Sequence, residues 1–203
     1  MEEEKIRETI DFIRFTIDFQ KVKRDIYAAG EDRMENDAEH SFQLAMACWF
    51  FNATEKLGLN EEKILKYALI HDLVEVYAGD TPAFTQDKNL SNSKQERENH
   101  AAELISKKFG HFKQLSGFID AYIIKDDRES VFVYCFDKLL PIINIWLDDN
   151  RTWNEGRGSL PEALAYARSK IKDIEPFNLF IDALEKIILQ SEKEKSWDSI
   201  FDG

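Results

Sequence analysis

From Val131 to Trp146 the chain reads VFVYCFDKLLPIINIW. At helical spacing this run is apolar on almost every side, and such a helix is stable only when other elements wrap it. It therefore predicts a central helix with the rest of the chain packed around it. Asp137 is the exception. A carboxylate in the middle of a buried helix needs a cationic partner. Lys138 is next in sequence but leaves the helix about 100° away, so the partner is expected elsewhere. Pro141, four residues on, lacks the N–H that the carbonyl of Asp137 would accept, a second irregularity at the same place.

Helical periodicity dominates the remaining sequence, and no alternating run marks a strand. A first helix is expected from Glu3 to Gln20, with Ile6, Ile10, Ile13 and Ile17 on one face. Asn36 or Asp37 can cap a second, which stops at Gly58; Asn60 can cap a third, which ends near Gly79. DTPAFTQDKNLSNS reads as the main loop. Further helices follow from about Ser93 to Phe109, Phe112 to Lys125 and Val131 to Asp149, restart at Pro161, and run from about Glu175 to Gln190. The expectation is an all-α bundle of about seven to nine helices, one domain over residues 1–203, with C-terminal helices at 160–190 and a tail at 191–203.

The 203 residues carry a formal net charge of −12, so the surface should repel nucleic acid polymers. Cys48 and Cys135 each lie in an apolar segment and read as free core thiols of a reducing cytosol rather than a disulfide. The opening MEEEKIRETI lacks the cationic and apolar regions of a signal peptide. No apolar run is expected to span a bilayer. These features predict a cytoplasmic protein with no membrane partner.

Chemistry concentrates in ALIHDLVEVYAGD, Ala68 to Asp80. Taken as one helix with His71 at zero, Glu75 falls near about 40° and Asp72 near about 100°, against an apolar remainder. Ala68, Ala78 and Gly79 leave space beside that charged stripe. His40 adds an imidazole in the first turn of an otherwise apolar helix. His40, His71, Asp72 and Asp137 could neutralise one another around a divalent cation, and this nitrogen–oxygen set suits Mn, Co, Ni, Fe or Zn. A network of satisfied structural ion pairs would use the same residues, and from the residues alone both readings stay open.

The order His40, His71-Asp72, Asp137 resembles the H…HD…D signature of HD-domain metal-dependent phosphohydrolases. RMENDAEHS, LIHDLVEVYAGDTPAF and FDKLLPIINIW are similar to signature segments of the branch containing bacterial 5'-deoxynucleotidases, over about residues 24–153. The resemblance implies one divalent metal ion (Mn, Co, Ni, Fe, Zn or Mg) on His40, His71, Asp72 and Asp137. It implies Glu75 as catalytic acid and Asp80 as a second catalytic carboxylate. Arg24, by its spacing before the first His, would bind substrate phosphate, with Arg33 a second candidate. The nucleotidases follow that arginine with a Trp, where this chain has Asp25. The implied reaction is hydrolysis of a small phosphomonoester, first a (deoxy)nucleoside 5'-monophosphate, by a homodimer. Nucleoside triphosphates, cyclic nucleotides or alarmones are the alternative substrates. A non-catalytic metal- or nucleotide-binding protein is the alternative class, and the extra carboxylates Glu75 and Asp80 tell against it.

Other residues receive blander assignments. His100, with Glu96 and Glu103 at helical spacing, could join a second metal, but its helix reads as solvated. His111 has no role. Trp146 and Trp153 could line the pocket, but core or interface packing is the favoured reading; the cluster CWFF at 48–51 is expected in the core, with a dimer interface its other reading. Trp197 and Phe201 belong to a frayed tail that could dock on a partner subunit.

Overall fold

The structure is a computed structural model that describes residues 3–82, 88–171 and 174–194. It is all-α, as expected: among the described residues eight helices have ten residues or more, joined by three short helical turns and one small hairpin. They are α1 (Glu3–Phe19), α2 (Asp37–Thr54), α3 (Glu61–Ile70), the turn α4 (Glu75–Ala78), the turn α5 (Lys88–Asn92), α6 (Lys94–Lys108), α7 (Lys113–Ile124), α8 (Arg128–Leu147), the turn α9 (Arg151–Asn154), α10 (Leu160–Ile171) and α11 (Phe177–Glu194).

α8 is the central helix its sequence demands. It packs against α2, α3, α7, α10 and α11, and Phe132, Val133, Cys135, Phe136, Leu139, Leu140 and Ile142 are buried along it. One expectation needs correcting here: α8 is long and apolar enough to cross a membrane, yet 67% of that window is buried against the other helices. A second apolar cluster joins Phe15 and Phe19 of α1 to Leu73, Val74, Ile105, Phe109, Leu115 and Ile119. Cys48 and Cys135 are buried free thiols.

Caps set the register that matters for the site. The Asn36 side chain accepts from the N–H groups of Ala38 and Glu39, while the Glu39 carboxylate accepts from the N–H of Asn36. This capping box starts α2 at Asp37 and places His40 in its first turn. Asn60 caps α3 through the N–H of Lys63, and Asp127 caps α8 through the N–H of Ser130.

Four local features differ from the sequence expectation. First, Lys23–Tyr27 (β1) and Met34–Asn36 (β2) form an antiparallel hairpin. Strands of five and three residues are too short to carry a period-two signal. Second, the helix expected to run to Gly79 stops at Ile70. The amides of Leu73, Glu75, Val76 and Tyr77 bond back three residues, including Glu75 N–H to Asp72 carbonyl at 2.8 Å, before α4 closes on Gly79 at φ 72°. Third, Trp49 and Phe50 of CWFF point to solvent, and only Cys48 is fully buried. Fourth, residues 88–92 of the expected loop are helical, and α11 continues past Gln190 to Glu194. Residues 83–87 of that loop, with Trp197 and Phe201, lie outside the described residues.

Candidate metal centre

Three helical segments and the hairpin converge beside the middle of α8. His40 comes from α2, His71 and Asp72 from the turn after α3, and Asp137 from α8. Each offers a ligand atom, and these atoms all lie within 4.8 Å of one another. Nδ1 of His71 donates to the carbonyl of Ala68 at 2.9 Å. That bond leaves the Nε2 lone pair aimed inward, 2.9 Å from Oδ2 of Asp72 and 3.6 Å from Oδ1 of Asp137. Nε2 of His40 lies 3.1 Å from Oδ1 of Asp137.

These contacts bring acceptors against acceptors. Nε2 of His71 is buried and has no hydrogen-bond partner. A ring nitrogen facing two carboxylates is repelled unless a positive charge lies between them. The protein supplies one as a proton: burial alone would lower the pKa of His71, but Asp72 and Asp137 raise it to about 10. Burial likewise opposes ionisation of Asp137, yet Lys138, His40 and His71 hold it well below the usual carboxylate range. Asp72 is also held low, by His71 and Arg24 against burial. A site that draws a proton onto an imidazole between two carboxylates is built for a cation, and two nitrogens with two oxygens fit a divalent transition ion.

Lys138 corrects an expectation. Its Nζ lies 2.5 Å from Oδ2 of Asp137 and over the Tyr134 ring, 5.0 Å from the centroid. The angular offset on the helix applies to Cβ; four methylenes let the ammonium fold back. Asp137 thus has an imidazole on one oxygen and an ammonium on the other.

The hairpin carries the other cation. Arg24 of β1 places Nη1 2.8 Å from Oδ2 of Asp72 and 3.3 Å from Oδ1 of Asp37, and Nε 3.3 Å from Oε2 of Glu35. Among the described residues its Nη2 has no acceptor. Glu35, which the sequence reading passed over inside RMENDAEHS, lies behind the site. Buried at 4% exposure, it lies 3.6 Å from Nδ1 of His40 and accepts from the amide of Asn144 at 3.1 Å. A carboxylate behind a ligating imidazole orients the ring. Arg33 goes elsewhere: its guanidinium pairs with Glu39 on the surface, 2.6 and 2.9 Å away, and does not line the cavity.

Glu75 is 3% exposed, beside the ligands. Three-residue winding from Asp72 to Glu75 puts both carboxylates on one side of the chain, and with Asp37 they form a second acidic group. Arg24 supplies positive charge to that group. Burial, then Asp72, Asp80 and Asp37, push the Glu75 carboxyl well above its ordinary value, opposed by Lys94, whose Nζ lies 4.0 Å from Oε1. Asp37 rises to about 7 for similar reasons. Asp80, after the Gly79 turn, is raised by burial.

All this opens into a cavity of about 530 Å³. Its lining joins the charged side chains Arg24, Asp72, Glu75, Asp80, Lys94 and Lys138 to apolar and aromatic ones, among them Ile142, Ile145, Trp153 and Tyr166. Of the two tryptophans weighed between pocket and core, Trp153 lines the cavity while packing partly buried on the core, and Trp146 is buried and donates to Ser191 Oγ at 3.0 Å. His100 and His111 are exposed, and among the described residues neither joins a donor cluster.

A helical bundle with a histidine–aspartate cation site on its central helix defines a class, and comparison with known proteins names it. A family model described as HD domain matches residues 18–177, and the chain belongs to that family. A structure described as a predicted metal-dependent phosphohydrolase, from Magnetospirillum magnetotacticum MS-1, superposes with a TM-score of 0.71 at 21% identity, covering 91% of this chain and 93% of that one. A conserved hypothetical protein from Pyrococcus furiosus superposes with a TM-score of 0.61 at 23% identity, covering 91% and 99%. At these identities both neighbours share the fold. No curated protein matches the chain.

Proposed function

We propose that this protein is a metal-dependent phosphohydrolase of small phosphomonoesters, with (deoxy)nucleoside 5'-monophosphates as the first substrate class. In this reading it is a single-domain cytoplasmic enzyme that works as a homodimer, with neither nucleic acid polymers nor membranes as partners. One observation carries the reaction class: Glu75, a buried carboxyl, stands beside the four clustered His and Asp side chains, in a cavity that also holds Arg24, Lys94 and Lys138.

A divalent ion held by His40, His71, Asp72 and Asp137 would acidify water and polarise a phosphoryl oxygen. The chain's own groups do the rest. Arg24, anchored through Nη1 and Nε by three carboxylates, would bind the anionic phosphoryl group. Glu75, whose carboxyl is pushed up by burial and its neighbours, gives its proton to the leaving alkoxide oxygen. Asp80 accepts from hydroxyls of the leaving group. Glu35 lies behind the His40 ring. The aromatic part of the cavity lining, Trp153 and Tyr166, takes the apolar body of the leaving group.

Monophosphates are placed ahead of triphosphates and alarmones because few free cations surround the proposed ligands. Among the described residues the cavity lining holds Arg24, Lys94, Lys138 and Arg157, and Arg24, Lys138 and Arg157 are already paired with Asp72, Asp137 and Glu155.

The test is phosphate release by metal-stripped protein with Mn, Co, Ni, Zn, Fe or Mg added singly, against nucleoside mono-, tri- and cyclic phosphates. Release from monophosphates that needs the metal and disappears in Asp137→Ala is the expected result. Stoichiometric metal without turnover of any phosphoester would leave a metal-binding protein instead.

A further inference from the structure

Arg97 of α6 fastens the turn that carries Asp80. Its Nη1 donates to the carbonyl of Ala78, the last residue of α4, and its Nη2 donates to Thr81 Oγ1 at 2.7 Å. One guanidinium thus grips the chain on both sides of Gly79 and Asp80. The Thr81 N–H in turn hydrogen-bonds the Asp80 carboxylate. Nη2 also donates to the carbonyl of Leu90 at 3.1 Å, and Nε to Ser93 Oγ at 3.3 Å, so the fork is itself held at the start of α6. Among the described residues Asp80 and Thr81 line the cavity and Arg97 does not.

We propose that Arg97 is a positioning residue for the substrate: by joining Ala78 to Thr81 it holds the Asp80 carboxylate where a hydroxyl of the leaving group can reach it. The inference rests on the role given to Asp80 above and adds what fixes that carboxylate in place.

Two features of the turn call for such a fastening. Gly79 has φ 72° and ψ 151°, a conformation that glycine alone adopts readily, so no regular winding carries α4 on into Asp80. The charges around Asp80 also act in opposite senses: Arg24 and Lys94 attract its carboxylate while Asp72 repels it. An unfastened side chain would settle by that balance, toward the guanidinium that is to receive the phosphoryl group.

Arginine suits the task because its planar fork presents several donors at fixed angles. The two sides of the turn take separate nitrogens, so a single ammonium could hold one of them and not both. The donor is ionised, which makes each of these bonds stronger than a neutral one. α6 thereby addresses both carboxylates of the proposed mechanism. Lys94 lies 4.0 Å from Oε1 of Glu75, and Arg97 acts on Asp80 through the turn.

Kinetics on the Mn-loaded full chain test this with thymidine 5'-monophosphate and its 3'-deoxy analogue, which lacks the sugar hydroxyl. Wild type should prefer the first, and Asp80→Ala should lose the preference. Arg97→Ala should raise KM for thymidine 5'-monophosphate about tenfold, the worth of one hydrogen bond to a charged group, with kcat and the analogue's KM little changed. Thr81→Val, which keeps the shape and removes one acceptor, should shift that KM the same way by less. Hydrogen exchange on the substrate-free protein reads the fastening without turnover. The amides of Gly79 and Thr81 should exchange about tenfold faster in Arg97→Ala, with those of α8 unchanged. Unaltered exchange would overturn the fastening. An equal fall in kcat/KM for both nucleotides would make Arg97 a brace of the fold and overturn its positioning role. Hydrolysis of monophosphates without discrimination between the two sugars would overturn this inference alone, whereas no turnover of any phosphoester would overturn the hydrolase reading with it.

Discussion

His71 and Asp72 are chain neighbours whose side chains meet: Nε2 of the ring lies 2.9 Å from Oδ2 of the carboxylate. Consecutive residues on a regular helix diverge. Here the chain leaves α3 at Ile70 and tightens, and the Ala68 carbonyl fixes the ring through Nδ1. The pair therefore shares one position for a cation, and in the metal-free protein a proton occupies it.

Metal binding should be coupled to that proton. His71 has its pKa raised from 6.5 to about 10, so the metal-free site is protonated at neutral pH and binding must release the proton. Affinity should rise about tenfold per pH unit through neutrality. In stability the sign is opposite: the His71 contribution in the metal-free protein is complete below about pH 6.5 and is lost as pH rises through about 10. Calorimetric titration in buffers of different ionisation enthalpy reads the released proton directly. Affinity independent of pH would contradict the geometry.

Removal of Asp137 should abolish the thermal shift produced by metal. A ligand at a hundredfold over its Kd adds about 2.7 kcal/mol, which moves Tm by about 5–10 °C in a chain of this size. Asp137→Ala should show no such shift. Its metal-free form should also melt earlier, because Lys138 and both histidines lose a buried counter-charge, at a cost of about 3–5 kcal/mol. Thermal scans with and without Mn measure both effects.

Glu75→Gln should separate binding from turnover. Burial and the neighbouring carboxylates push the Glu75 carboxyl well above its ordinary value, so the neutral amide is close in charge and shape to its protonated form. Metal content should be unchanged, while hydrolysis falls about 10²–10⁴-fold with loss of the transferable proton. Wild-type activity should decline on the alkaline side as Glu75 ionises. A raised carboxyl also stabilises the fold below its ordinary pKa of 4.5, and that contribution is lost as pH climbs through its folded value. Metal loss in Glu75→Gln would instead make Glu75 a ligand.

The four proposed ligands were legible in sequence because each is polar where its helix is otherwise apolar, and such a residue announces a partner. Asp137 in VFVYCFDKLLPIINIW is the clearest case. Geometry within the turn was only partly legible: a continuous wheel over Ala68–Asp80 already groups His71, Asp72 and Glu75 in one stripe, but not the break after Ile70 and the three-residue winding that bring Asp72 against His71. Lys138 was misjudged because a wheel reports where a side chain starts and not where a flexible one ends. The isoleucine and phenylalanine faces of α1 show the remaining limit. Both are apolar at helical spacing, and only the packing of Phe15 against Phe109 and Tyr77 tells which one turns inward.

Arg24 supplies the last test, because its contacts separate a structural from a substrate role. Glu35, Asp37 and Asp72 engage Nε and Nη1, so the proposed phosphate contact would fall to Nη2. Arg24→Ala strands three buried carboxylates around an empty volume and should cost about 3–5 kcal/mol of stability, so loss of activity there would be uninformative. Arg24→Lys keeps the charge and most of the volume but cannot hold three carboxylates and a phosphoryl oxygen at once, since its ammonium is a single point charge rather than a fork. The lysine variant should therefore fold and bind metal. Its KM for a nucleoside monophosphate, and the inhibition constant of inorganic phosphate, should both rise about tenfold, the worth of one charge-assisted hydrogen bond of roughly 1.5 kcal/mol. Steady-state kinetics with phosphate as inhibitor makes the measurement. Unchanged KM and unchanged phosphate inhibition would confine Arg24 to neutralising Asp37 and Asp72 and move the phosphate contact to Lys94 or Lys138.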